Sequence, residues 1–320
     1  MKGKWKYIIA VFVVIWLAFF VYTISRPEKK AVVDARIPQS TIDYFKRLKD
    51  QIVIFNPNPD LSDWINDKAG TKNVREYKSI ENDNFIVYFL PNTKSEVWAP
   101  ETLNYANAAI KPLEQLMDRY YYPDMVNNRK LPIFITNDRK EYDDIINRLL
   151  KDWDKGGRTS TGVTLFEASA LGMRTIAIVL SNDAWELEIE NEYPRKVLWH
   201  EMNHYVYFTA LQMDLPEMPP EWFTEGIAEY FAQTTIREEE INAQKAQQVS
   251  LTQEMEDFYD NYWVGFSVFT FMDKKFGKQK VRQCVKKSYN NVIDHVFVSE
   301  LNTTLSNFDY QWKEYIYYNY

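Results

Sequence analysis

Two of the three histidines in this 320-residue chain, His200 and His204, stand four residues apart, and Glu201 follows the first directly. Few patterns constrain a fold more tightly. The run from Pro194 to Leu211 reads as a helix. Pro194 suits a first helical turn, where a missing N–H costs little, and Tyr205, Val206, Phe208 and Leu211 supply apolar surface for burial. On that helix positions i and i+4 lie one above the other, so both imidazoles can reach one metal ion. A chance pair on a solvated face would not be followed by so apolar a run. Glu201 falls at the edge of the same face, where its carboxylate can hydrogen-bond a metal-bound water without being a ligand. This arrangement suits hydrolysis: a metal brings the pKa of bound water down to about 7, a carboxylate takes the proton, and the scissile carbonyl is polarised.

A catalytic site of this kind needs a third protein ligand and an open position. His295 is far along the chain and Cys284 stands alone. The stretch from Asp214 to Pro220 breaks the first helix, and Pro219-Pro220-Glu221 reads as the start of a second, running through Phe231. Two antiparallel helices joined in this way bring Glu225 opposite the histidine pair. Glu229, one turn later, is positioned to accept the other ring N–H of a ligating histidine. Without the histidines, both carboxylates would read as ordinary exposed helix residues.

The remainder of the chain surrounds this stretch. Net charge is -7, and residues 1–30 carry six Lys/Arg and one Glu, a balance of +5 that leaves the rest at -12. Beyond residue 30 we read no basic stripe, and no nucleic-acid partner is expected. Apolar residues at 46% allow a sizeable core, and the single cysteine excludes an intramolecular disulfide; Cys284 reads as a small core residue. Tyr7–Ile24 is a stretch of 18 uncharged residues, about 27 Å as a helix, close to a bilayer core. Trp5, Tyr7 and Tyr22 sit where interface aromatics belong. Ser25-Arg26-Pro27 makes a poor cleavage site, so residues 1–25 read as an uncleaved, single-pass anchor rather than a removed signal peptide. The lysines at 2, 4 and 6 favour an inside N-terminus and a domain outside the cytoplasm.

Residues 26–80 read as a juxtamembrane segment. It holds a short helix from Pro38 through Lys49, a turn at Asn56–Asp60, and loop from Asp67 to Ser79. From 81 to 193 strands and helices alternate. Strands are expected at Phe85–Leu90, Leu131–Thr136, Val163–Phe166 and Thr175–Leu180, and helices at Pro100–Tyr121 and Arg139–Trp153. The loop Gly156–Gly162 lacks the Gly-Lys-Ser/Thr ending of a phosphate cradle. Residues 194–320 read as helical. The expectation is an α+β chain: an N-terminal transmembrane helix, a small mixed or antiparallel sheet with helices, and a mainly helical second half.

His-Glu-x-x-His followed by Trp222-Phe223-Thr224-Glu225-Gly226-Ile227-Ala228-Glu229-Tyr230-Phe231 resembles the gluzincin metallopeptidases, the thermolysin-like superfamily, and within it the peptidase-MA-like branch. Similarity is strong over Leu198–Phe231. It is weaker beyond, at Tyr262, Gly265-Phe266-Ser267, Phe308 and Trp312. The resemblance implies a gluzincin-like catalytic domain over 81–320, with one zinc ion held by His200, His204 and Glu225. It also implies Glu201 as general base and Glu229 as support for the ligands. It further implies a tyrosine or histidine donating to the oxyanion of the tetrahedral intermediate. Tyr262 is the candidate, with Tyr259 the nearby alternative. It makes Thr175–Leu180 the edge strand of the cleft, where an extended peptide adds by main-chain hydrogen bonds. The aminopeptidase signature Gly-x-Met-Glu-Asn is absent, since the chain reads Gly162-Val163-Thr164-Leu165-Phe166-Glu167, and this favours an endopeptidase. The expected activity is that of a membrane-anchored zinc metallopeptidase acting on peptides or proteins outside the cytoplasm. The alternative is a zinc-containing surface binding module without turnover.

Overall fold

Burial alternates along Phe85–Phe89, with Phe85, Val87 and Phe89 inside, as period-2 side chains on a strand must. This strand, β2, belongs to a five-stranded sheet in the order β1-β2-β3-β5-β4. The strands are β1 (Lys78–Glu81), β3 (Leu131–Ile135), β4 (Gly162–Ser169) and β5 (Gly172–Leu180). Pairing is antiparallel for β1/β2 and β4/β5, and parallel for β2/β3 and β3/β5, so the sheet is mixed. The computed structural model describes residues 77–118, 130–149, 161–169, 172–186, 192–211, 215, 218–232, 243–255 and 260–320. The expected membrane anchor, the helix Pro38–Lys49 and residues 156–160 of the expected loop Gly156–Gly162 lie outside these residues, while Gly162 itself opens β4. No helix among the described residues is long and apolar enough to cross a membrane.

The two faces of the sheet carry different helices. Ile133, Ile135, Ile178 and Leu180 pack with α1 (Lys94–Met117) and α4 (Tyr193–Ala210). Phe134, Val163, Leu165, Ala177 and Val179 pack with Tyr142, Ile145 and Ile146 of α2 (Arg139–Leu149). A short helix α3 (Asp183–Glu186) follows the sheet. After α4 the described chain is helical: α5 (Glu221–Ala232), α6 (Ala243–Ala246), α7 (Asp260–Phe276), α8 (Lys278–Ser288), α9 (Ile293–Leu301) and α10 (Leu305–Asn319). The molecule is thus α+β, with a small sheet and mostly helices.

Three expectations are corrected. Ser79, expected in a loop, belongs to β1, which pairs antiparallel with β2 and sets Ser79 opposite Tyr88. The helix expected from Pro100 begins six residues earlier, at Lys94, and contains both Pro100 and Pro112. Proline normally breaks a helix. Here Ser95, Ala99 and Thr102 are fully buried, and Trp98 stacks on Trp185 at 5.2 Å, so tertiary packing outweighs the local penalty. Thr175–Leu180, expected at the edge of the cleft, lies in β5, between β3 and β4. Its run Ala177-Ile178-Val179-Leu180 is buried on both faces, the signature of an interior strand. The edge strand is β4.

Candidate metal centre

Helix α4 presents His200, Glu201 and His204, all buried, against β4 and α5. The two imidazoles point at one place: Nε2 of His204 lies 2.9 Å from Nε2 of His200. Glu225, on α5, completes the cluster. Its Oε2 is 3.2 Å from His200 Nε2, and its Oε1 is 3.4 Å from His204 Nε2. Glu229, one turn further along α5, sets its Oε1 2.9 Å from Nδ1 of His200. That nitrogen donates to the carboxylate, and a neutral ring is left with a bare lone pair at Nε2.

The ligand-type atoms of His200, His204 and Glu225 all lie within 4.8 Å of one another. Nε2 lone pairs and two carboxylate oxygens converge there, all acceptors when the rings are neutral. Converging acceptors repel unless a proton or a cation sits among them. His204 Nδ1, Glu225 Oε2 and Glu229 Oε2 are also buried without a hydrogen-bond partner among the described residues. The donor set therefore fits a metal cation: two imidazole nitrogens and one carboxylate.

The electrostatics follow from this convergence. Burial alone would lower the pKa of His200, but the Glu229 carboxylate and then Glu225 outweigh it, and the net result lies well above the usual 6.5. Glu225 is opposed by its own burial, yet the His204 and His200 rings hold its carboxyl down at about 2. Glu201 moves the other way. Burial raises it above 4.5, against the lowering pull of the histidines and of Thr164.

Thr164 is a contact that motif reading missed. Its hydroxyl lies 2.7 Å from Glu201 Oε2 and 2.8 Å from the Glu201 backbone carbonyl, bridging β4 to α4. Strand periodicity explains why. Gly162 pairs with Leu180 and Thr164 with Ile178, whose side chains face α4, while Val163 faces α2. A Cβ at position 162 would stand 2.9 Å from Val197 and 3.1 Å from Glu201 Oε1, so the missing side chain makes room for the carboxylate. The alternation of β4 was readable in the sequence, but which face meets Glu201 depends on the neighbouring strand.

Tyr262, near the start of α7, stacks on His200 with ring centroids 5.9 Å apart and planes inclined by 21°. Burial and then the carboxylates of Glu225, Glu201 and Glu229 push its phenol pKa well above 10, which keeps the O–H as a donor. A helix–helix contact sets this placement. A Cβ on Gly226 would lie 2.5 Å from the backbone of Gly265, so the pair of glycines lets α5 and α7 cross almost backbone to backbone. Asn261 of α7 also donates to Glu221 of α5 at 2.9 Å. Trp312 of α10 hydrogen-bonds Ser267 at 3.1 Å and fixes the far side of α7. Tyr259 lies outside the described residues. His295 is exposed on α9, away from the cluster, and Cys284 is buried in the core. The chain matches no protein-family model and no curated protein.

Proposed function

We propose that the chain is a zinc metallopeptidase of gluzincin type, anchored by residues 1–25 with its domain outside the cytoplasm. One observation carries this reading. His200, His204 and Glu225 converge as a three-donor set, while Glu201, on the same helix, is held beside them by a strand hydroxyl rather than within the set. A purely structural metal site would have no use for that additional carboxylate and is usually closed by four ligands. Zinc, when bound, would be held by His200, His204 and Glu225 and would supply Lewis-acid activation of water and of the scissile carbonyl.

The chain's own residues do the rest. Glu229 holds the His200 ring in the tautomer that keeps Nε2 free. Glu201 accepts the proton of the attacking water and returns it to the leaving amine, a role that its raised pKa suits. Thr164 keeps that carboxylate in one orientation. Tyr262 donates its phenol hydrogen to the oxyanion. The edge of β4, which pairs with no further strand among the described residues, offers main-chain groups to an extended peptide, in keeping with an endopeptidase.

The test pairs metal analysis with one isosteric substitution. The purified chain should carry about one zinc ion and cleave an unstructured protein. Glu201→Gln should keep the metal and lose cleavage by at least about a hundredfold. A chain without bound metal refutes the proposal. A metal-loaded wild type that cleaves nothing in a broad peptide library refutes the enzymatic part and leaves the binding-module reading. Protease accessibility of the domain in intact cells tests the topology, and a protected domain reverses it.

A further inference from the structure

The run Lys274–Lys287 holds seven Lys/Arg and no Asp/Glu, in a chain whose total charge is -7. It is a basic stripe where none was expected beyond residue 30. Helix α8 buries Val281, Cys284 and Val285 and turns Lys278, Arg282, Lys286 and Lys287 outward. Lys286 pairs with Asp118, and Lys280 lies 3.6 Å from Glu300. Lys278, Arg282 and Lys287 have no ion-pair partner among the described residues.

The first two lysines of the run, in the last turn of α7, reach α10. Lys274 lies over the Tyr315 ring at 5.0 Å, Lys275 hydrogen-bonds Gln311, and Tyr320 meets Tyr315 edge-on at 6.3 Å. Beside them Tyr317 and Tyr318 are 64% and 78% exposed. Lys274 and Lys275, in the last turn of α7, thus meet the tyrosine-bearing helix α10 through Tyr315 and Gln311 rather than through an acid, and two acids of α10 are engaged elsewhere: Asp309 by Lys313 and Glu314 by Tyr310.

We propose that the basic run Lys274–Lys287, at the end of α7 and along the outer face of α8, docks on an anionic phospholipid surface. Lysine and arginine side chains draw a protein to anionic headgroups within about one Debye length, roughly 8–10 Å, and tyrosine suits headgroup depth. Beyond residue 30, the chain outside this run carries a net charge of -19 (-12 less +7), so the run is basic against an acidic background. Nucleic acid is the weaker match, because the cations lie on outward helix faces rather than in a groove with stacking platforms. The inference goes beyond the peptidase reading and needs neither metal nor turnover.

The test uses the full chain in phosphatidylcholine vesicles with or without phosphatidylglycerol, with amine-reactive labelling of each lysine followed by mass spectrometry. Lys278 and Lys287 should label several-fold more slowly on anionic vesicles, with exposed Lys140 unchanged, and high salt should abolish the difference. Replacing Lys278, Arg282 and Lys287 together by Gln should weaken docking on the order of a hundredfold, from about fivefold per cation. The melting temperature should not move. Equal labelling on both vesicle types overturns the proposal. So does protection that requires an added oligonucleotide, or that rises with protein concentration in the absence of lipid. Zinc content and cleavage are read separately, so failure of the peptidase reading is distinguishable from failure of this one.

Discussion

Glu201 has two neighbours that define what it can do. Thr164 holds Oε2, and the absence of a side chain at Gly162 leaves Oε1 its space. Thr164→Val should therefore lower kcat about tenfold to a hundredfold, the worth of one hydrogen bond to a charged group. Zinc content should stay unchanged, and Thr164→Ser should restore most of the rate. A valine variant with wild-type kcat would end the positioning argument. Glu229→Gln probes the ligands instead. Losing the carboxylate behind His200 should weaken metal binding about tenfold to a hundredfold, measured by chelator competition. Cys284 has a third kind of environment. Burial pushes its thiol up to about 12, so a thiol reagent should leave the native protein unmodified and react with one thiol per chain on unfolding.

Helix α5 brings Glu225 and Glu229, and α7 brings Tyr262, to the histidines of α4, and the glycines of α5 and α7 set the distance between those two helices. Alanine at 265 would force the Cβ into the Trp222 carbonyl and the Gly226 backbone. Gly265→Ala should destabilise the chain by about 1–3 kcal/mol and lower kcat through displaced Tyr262. Thermal melting checks the first effect and steady-state kinetics the second; a variant that melts like the wild type would show that the crossing has slack. Elements are also where the sequence was most readable. The helix predicted for Pro194–Leu211 runs over Tyr193–Ala210, and the strand predicted for Leu131–Thr136 runs over Leu131–Ile135. Their apolar periodicity is local and strong. The start of α1 was misplaced because the packing of Trp98 against Trp185 comes from residues 87 positions apart and leaves no mark in the local pattern.

For the whole molecule, a cluster of buried acceptors around a shared point couples stability to pH and metal. In metal-free protein the folded pKa of His200 is raised above 6.5, so the stability it contributes is present below pH 6.5 and is lost as pH rises toward the folded value. Glu201, raised above 4.5, acts in the same direction. Metal-free protein should therefore melt lower at pH 8 than at pH 6 (both values bracketing the about 6.5 of an ordinary histidine). Bound metal replaces the proton among the ligands and should flatten that dependence. Chelation at the higher pH should lower stability by about 3–4 kcal/mol if metal is present at a hundred to a thousand times its Kd. Melting curves with and without chelator at the two pH values decide this; identical curves would mean that no cation is held there.

The sequence by itself determined the parts whose logic is local. The i, i+4 spacing of His200 and His204 puts two rings on one helix face whatever surrounds the helix. The spacing of Glu225 and Glu229 does the same for two carboxylates. It also marked Glu225 as the only nearby partner for the pair. Only the tertiary structure decided the contacts between elements. These are the order in which β4 becomes the edge strand, the face of β4 that meets Glu201, the glycine crossing that carries Tyr262 to His200, and the contact of Lys274 and Lys275 of α7 with α10. These contacts join residues far apart in the chain, and periodicity says which face of an element is buried but not what it is buried against.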